Sequence, residues 1–274
     1  MADVKPAGFQ LTPLELVLRT WRRLVKGLAL GFHIPTALVI ALVALRPRPR
    51  QGPPLGPVQW WFCVLCRLLS VQITTRGQPL PGPVLVVANH ISWLDIAVIN
   101  AIGPSYFVAK SAVRRWPVFG WLTHRAGGIF INRGEKNAAA SATEQLVWRL
   151  VRGERLVTFP EATSTSGEGV KRFHPRLFQA AIHVQCPVQP LTVRYLTADG
   201  EVNSAVPFVG DDTLVGNLWC LMGERRIHAE LIYHPPLDPA DRGRTDLARE
   251  AERQVAAALR SPSLAALPPE ERGP

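Results

Sequence analysis

Charge is scarce in this chain, and acid is scarcer than base. Only 19% of its 274 residues are charged, with 21 acidic against 31 basic side chains, for a formal net charge of +10. That shortage, beside an apolar share of 47%, excludes wholesale disorder and leaves material for a sizeable core. The length allows one large domain, or one domain with a small appendage. Cysteine is rare: Cys63, Cys66, Cys186 and Cys220 are the only four. Cys63 and Cys66 form a C-x-x-C inside the apolar run 60–66, and no second Cys/His pair follows at zinc-ligand spacing. A disulfide framework and a zinc site therefore lack support, and a reducing compartment is the default. There is no G-x-S-x-G elbow, no Walker-type glycine loop, no RNP-like aromatic motif and no internal repeat. Serine-hydrolase chemistry and nucleic-acid binding lose their motifs with these absences. The positive surplus is left to seek other anions, lipid head groups among them.

What is present begins with an apolar run. Gly27 to Leu45 holds no charged residue and is just long enough to cross a bilayer as a helix. Pro35 is expected to break it near the middle. Arg19, Arg22, Arg23 and Lys26 precede it, and Arg46, Arg48 and Arg50 follow. Basic residues on both flanks favour the cytoplasmic side for both ends, so a kinked, re-entrant or in-plane segment is expected over a single span. The stretch 46–54 alternates Arg and Pro and reads as an extended linker. Val58 to Val71 reads as a second apolar helix.

Beyond residue 70 the pattern changes. Val84 to Ala88 is a continuous apolar run, the mark of a strand buried on both faces. Further strands are expected at 71–75, 128–131, 155–159, 188–195 and 227–233. A helix is expected over 136–152, closed by Gly153, and another begins at Thr245 as its cap, with Leu247, Ala251, Val255 and Leu259 on one face. Strands alternating with helices define an α/β layered domain. The division expected is 1–69 for membrane-associating helices and linker, 70–238 for the α/β domain, and 239–274 for a C-terminal helix and disordered tail.

Four segments carry chemistry. The first is Asn89-His90-Ile91-Ser92-Trp93-Leu94-Asp95, directly after the buried strand, where α/β folds place ligand sites. A carboxylate can fix an imidazole's tautomer and steady the imidazolium that forms, and the free ring nitrogen can then take a proton from a hydroxyl. On a regular helix, a five-residue spacing turns the two side chains about 140° apart, so contact requires the pair to straddle a turn and a helix start. The second is 128–134, where Arg133 and Gly134 offer a fork of donors and open backbone to a phosphate. The third is 159–167, where Glu161 sits beside a hydroxyl-rich loop that includes Thr163, with Lys171 and Arg172 close behind. The fourth is a strand start marked by Pro187 and Pro190.

In order and spacing these segments resemble the 1-acylglycerol-3-phosphate acyltransferase (PlsC-like) family. Asn89, His90 and Asp95 match N-H-x-x-x-x-D; residues 128–133 match G-x-I-F-I-x-R; Phe159, Pro160, Glu161 and Thr163 match F-P-E-G-T; the segment around Pro190 matches a V-P-type strand. The resemblance implies a glycerol-3-phosphate acyltransferase-like α/β domain with a mixed sheet behind membrane-associating helices. It implies His90 and Asp95 as the catalytic pair, and Arg133, Gly134 and Glu161 at the acceptor; Asn89 and Thr163 are candidates beside them, and Lys110 or Lys171 is expected to help hold a phosphate. It implies acyl-CoA or acyl carrier protein as donor, a membrane lipid as acceptor, no metal or redox cofactor, and residence on the inner (cytoplasmic) membrane with the catalytic domain facing the cytoplasm. Lysophosphatidate is the leading acceptor. Two departures bear on it. Ala162 stands at the usual Gly, which requires a backbone that avoids positive φ. Ser164 stands where many phosphatidate-forming members carry Arg, which opens the alternative of lyso-ornithine lipid or another lysolipid unless Lys171 or Arg172 replaces the lost cation.

Overall fold

Apolar residues that follow one another without alternation need a sheet covered on both faces. The computed structural model describes residues 12–45, 54–110, 118–131, 138–197 and 199–263. Its strands are β1 (Val71–Arg76), β2 (Val84–Ala88), β3 (Tyr106–Lys110), β4 (Ile129–Ile131), β5 (Arg155–Thr158), β6 (Val188–Leu196) and β7 (Ile227–Tyr233). They form one seven-stranded sheet in the order β1-β7-β6-β2-β5-β3-β4. β2 pairs in parallel with β5 and β6, and β3 pairs in parallel with β5 and β4. β7 runs antiparallel to β6 and parallel to β1. The sheet is therefore mixed, as expected, and β2 to β6 all deliver their carboxyl ends to one edge.

The helices are α1 (Pro13–Val43), α2 (Gly56–Leu68), α3 (Leu94–Ile102), α4 (Phe119–Arg125), α5 (Ala138–Val151), α6 (Gln179–Val184), α7 (Leu214–Gly223) and α8 (Arg244–Arg260). Alternate residues of β2 feed opposite cores. Val84, Val86 and Ala88 pack with Leu94, Ala97 and Val98 of α3 and with Leu30, Leu65 and Leu69 from the N-terminal helices. Leu85 and Val87 pack with Leu146 and Leu150 of α5 and with Leu247, Ala251 and Val255 of α8. α1, α2 and α8 pack into the two cores of the α/β layers. Gly243, not Thr245, is the cap residue of α8, and Thr245 lies within the first turn. Leu259 is half-buried, and Ala258 takes a fully packed place beside it.

α1 differs most from expectation. It starts at a Thr12–Glu15 capping box and runs for 31 residues through Pro35 without a break. Proline forfeits one backbone hydrogen bond, and contacts along the whole helix outweigh that loss. The basic residues read as a flank cap the carboxyl end of α7 instead. Arg22 donates to Gly223 O at 2.9 Å and Arg23 to Trp219 O at 3.2 Å. Lys26 donates to Leu69 O at 3.0 Å and Glu224 O at 2.8 Å, and Arg19 pairs with Glu224 at 3.2 Å. Cations on terminal carbonyls satisfy groups that a helix leaves open and complement its dipole. Farther along, the His33 ring meets Trp61 O at 3.1 Å, and Arg125 of α4 donates twice to Ala41 O. Arg46, Arg48, Arg50 and the expected linker through residue 53 lie outside the described residues, as does the tail from residue 264.

Burial, helped by nearby Arg22, pushes the Lys26 ammonium from 10.5 down to about 8. Between those values the unfolded chain holds the proton that the folded chain releases, so this group makes stability rise with pH across that window. Denaturant unfolding at pH 8 and pH 10 is expected to show the rise in the native chain and a smaller one in Lys26→Met.

Candidate active site

Five residues is the wrong spacing for two side chains on one helix, and the chain solves this by placing His90 before a turn and Asp95 in the first turn of α3. Residues 91–93 wrap around the Asp95 carboxylate. Its Oδ2 accepts from Ile91 N at 2.8 Å, Ser92 N at 3.0 Å and the His90 ring Nδ1 at 2.8 Å. Its Oδ1 accepts from the Tyr195 hydroxyl of β6 at 2.9 Å. Asp95 is fully buried, and every one of these partners is a donor, so the carboxylate is held as an acceptor and Nδ1 carries the ring's proton. Burial, reinforced by Asp95, pushes the Tyr195 phenol well above its ordinary range, which keeps it a donor. The His90 ring stacks on Phe159 at 4.1 Å and 17°, and its side chain keeps 24% exposure toward solvent.

The backbone of His90 is gripped from the loop after β5. His90 N donates to Glu161 Oε1 at 2.7 Å, and His90 O accepts from Thr165 N at 2.8 Å. Glu161 Oε2 accepts from Lys171 N at 2.7 Å. Burial raises the Glu161 carboxyl above its ordinary value, and the two backbone N–H groups pull it the other way. Gly167 ends this loop at φ +87°, where a Cβ would stand 3.0 Å from the Ile91 side chain, so the close approach of the two loops requires glycine.

The expected acceptor residues fare unevenly. Glu161 was expected to meet substrate hydroxyls, but it is buried and both its oxygens clamp backbone, so it ties the third segment to the first. Asn89 was expected at the acceptor too. It is fully buried and locked to Val193 of β6 by a bond in each direction, both 2.8 Å, which places it in the sheet. Thr163 is exposed on the loop. Lys171 contributes its backbone N–H to Glu161 while the residue itself is exposed. Lys110 closes β3 at the catalytic edge, opposite Ile131 of β4. Arg133 and Gly134 lie outside the described residues; the strand before them ends at that same edge. Ser164 donates its hydroxyl to Phe208 O, and Phe208 N donates to Ile91 O at 2.9 Å. Ala162 sits at φ +65°, contrary to the expectation that alanine there needs negative φ. The turn that brings Glu161 under His90 imposes this conformation. Tyr195 is the residue that sequence reasoning missed; it sits in a fully buried strand, and its only signal is a phenol that needs a partner once buried.

A buried carboxylate bracing a partly open imidazole at the carboxyl ends of the sheet's parallel strands is an arrangement able to take a proton from a hydroxyl. A family model described as acyltransferase matches residues 72–194. The chain is 38% identical over 253 residues to the lyso-ornithine lipid O-acyltransferase of Pseudomonas aeruginosa, covering 90% of this chain and 94% of that protein. It is 33% identical over 173 residues to the 1-acyl-sn-glycerol-3-phosphate acyltransferase of Neisseria gonorrhoeae, covering 63% of this chain and 68% of that one. The crystal structure of the 1-acyl-sn-glycerophosphate (LPA) acyltransferase PlsC from Thermotoga maritima has the same fold, with a TM-score of 0.59 at 20% identity over 91% of this chain and 98% of that one. The chain belongs to the PlsC-like acyltransferase family, and its activity is that of a lysolipid acyltransferase.

Asp95→Asn sets an amide N–H against donors, and kcat is expected to fall by about 10³-fold or more. Tyr195→Phe removes one donor and keeps the shape; a fall in kcat of about tenfold with KM for the acceptor unchanged is expected. Ala162→Gly relieves a left-handed alanine and is expected to stabilise the fold by about 1 kcal/mol, read as a raised thermal midpoint.

Proposed function

We propose that the chain transfers an acyl group from a thioester donor to the free hydroxyl of lyso-ornithine lipid at a membrane surface. The observation that carries the mechanism is the 2.8 Å bond from His90 Nδ1 to buried Asp95. With Nδ1 protonated, Nε2 is the basic nitrogen. It takes the acceptor's hydroxyl proton as that oxygen attacks the thioester carbonyl. The tetrahedral intermediate collapses to the ester and expels the donor's thiolate, which recovers the proton from His90. Asp95 stabilises the imidazolium that exists between those steps. The hydroxyl is itself the nucleophile, so no acyl-enzyme is needed, and the scheme asks for no metal or cofactor beyond acyl-CoA or acyl carrier protein.

Two observations support the acceptor. The relative that matches nearly end to end carries lyso-ornithine lipid in its name. Ser164, where many phosphatidate-forming members carry a cation, is neutral and already bonded to Phe208 O. An ornithine head group presents a carboxylate and an ammonium and has no phosphate, so it needs no such cation. The second reading, lysophosphatidate, is supported by the residue 128–133 match and by the Neisseria relative.

The placement of α1 supports association with one leaflet. It is long and apolar enough to cross a membrane. Yet its contacts with the rest of the fold run from Arg19 to Ala41, and an upright span would break them. Leu14, Trp21, Leu28, Phe32 and Leu42 remain exposed on its other side. We read α1 as lying in the interface plane of the cytoplasmic leaflet, with the catalytic edge facing the cytoplasm.

Purified protein offered lyso-ornithine lipid and lysophosphatidate, each with acyl-CoA and with acyl carrier protein, is expected to favour lyso-ornithine lipid at least about tenfold in kcat/KM. Preference for lysophosphatidate would reverse the acceptor assignment, and His90→Ala is expected to abolish turnover on either acceptor.

A further inference from the structure

α7 has two faces with different business. It contains no charged residue. On its inner face, Leu221 and Met222 enter the core, and Asn217 is buried. On its outer face, Val215 is 78% exposed and Trp219 48% exposed, with Gly216 and Cys220 exposed beside them. Apart from the Arg23 guanidinium against the Trp219 ring, this outer face stays exposed among the described residues. It is continuous with α1: the Arg23 guanidinium lies 4.9 Å from the centre of the Trp219 ring, and Arg22, Arg23 and Lys26 cap the helix's carboxyl end. Arg225 and Arg226 follow after Glu224, which Arg19 pairs, and are both exposed. An uncharged helical face with an amphipathic indole, ending in free arginines, matches a surface that sits at the acyl boundary with its cations among anionic head groups.

The inner face leads to the catalytic loop. Asn217 Oδ1 accepts from the Trp93 indole N–H at 2.9 Å, and Trp93 lies between His90 and Asp95. Asn217 Nδ2 donates to Pro207 O at 3.1 Å. The segment it holds continues to Phe208, whose N–H bonds Ile91 O and whose carbonyl takes the Ser164 hydroxyl. One side chain thus ties α7 to both loops that frame His90.

We propose that α7 is a second bilayer-contact element beside α1, seated on an anionic phospholipid surface by Val215, Trp219, Arg225 and Arg226. Asn217 on its buried face is a positioning residue that couples this contact to the geometry of the catalytic loop. The proposal rests on the membrane reading of α1 and extends it to an element far away in the sequence. Lipid seated against α7 brings acceptor molecules beside the loop that carries His90, and the Asn217 bonds hold that loop while α7 bears on the surface.

The test uses the full chain with vesicles of phosphatidylcholine, with and without phosphatidylglycerol. The double variant Val215→Asp/Trp219→Asp changes exposed positions only, and thermal unfolding checks that it folds. Its binding to anionic vesicles is expected to weaken at least about tenfold, while turnover of a short-chain, monomeric lysolipid acceptor stays at the native rate. Arg225→Glu/Arg226→Glu is expected to remove the preference for phosphatidylglycerol. Brominated phospholipid is expected to quench native tryptophan emission more than that of Trp219→Phe. Asn217→Ala is expected to bind vesicles normally but to lose about tenfold in kcat, with KM for the acceptor unchanged. Native vesicle binding by Val215→Asp/Trp219→Asp, with quenching equal in Trp219→Phe, would overturn the contact; unaltered kcat in Asn217→Ala would overturn the coupling. Leu28→Asp/Phe32→Asp on α1 separates the two levels. If it releases the protein while the α7 variants do not, α1 alone is the anchor; if it too binds normally, the membrane reading itself fails.

Discussion

The Asp95 carboxylate is the point on which the site is built. A carboxylate sealed from water is costly unless its lone pairs are met, and here the chain brings it two backbone N–H groups, a phenol and an imidazole. Meeting that requirement shapes the neighbourhood. Residues 91–93 must curl into a turn so that the Ile91 and Ser92 N–H groups converge, α3 must start just where Asp95 falls in its first turn, and Tyr195 must come across from β6. The imidazole is then the last donor in a fixed ring of donors. Its tautomer and plane follow from the arrangement, which is what a general base needs before any substrate arrives.

The sheet turns that local geometry into a working edge. Because β2 to β6 share one direction, the segments after β2 and β5 emerge together, although 70 residues separate His90 from Pro160 in the chain. Glu161 fastens two of those segments by their backbones, so its position near the base serves architecture before substrate. The same thrift appears at the amino end. Charges that look like a membrane-facing flank are used to cap α7, and in doing so they lay α1 along the domain. Hydrogen bonds join the catalytic loop to α7 and α7 to α1, and the exposed faces of these two helices carry Leu28, Phe32, Val215 and Trp219.

Legibility in the sequence followed how local the cause was. Val84 to Ala88 could be read as a buried strand because apolar continuity has no other economical outcome, and the His90–Asp95 pairing followed from chemistry that only a turn could satisfy. The strands at 188–195 and 227–233 were legible from their β-branched and aromatic residues, though polar side chains interrupt both. What depended on partners distant in sequence was not legible. Asn89 looked available for substrate until β6 took both ends of its amide. Lys171 looked like a phosphate ligand, but the contact the fold uses is its backbone N–H. Pro35 looked like a break because the bonds that hold α1 straight come from residues near 61, 125 and 223. α7 gave no periodic signal, since Gly216 and Asn217 interrupt its apolar run, and β3, though as long as β2, mixes aromatic, aliphatic and charged side chains within five residues. Ala162 was judged by local preference, and the loop's need to carry Glu161 beneath His90 overrode it.

Nitrogen chemical shifts of the His90 ring, followed through the pH range in which the enzyme turns over, test the central claim most directly. The account requires a neutral ring protonated at Nδ1 and bare at Nε2 in the resting enzyme, with the Nδ1 proton displaced downfield by its bond to Asp95. A ring protonated at Nε2, or one that carries both protons wherever the enzyme is active, would contradict it.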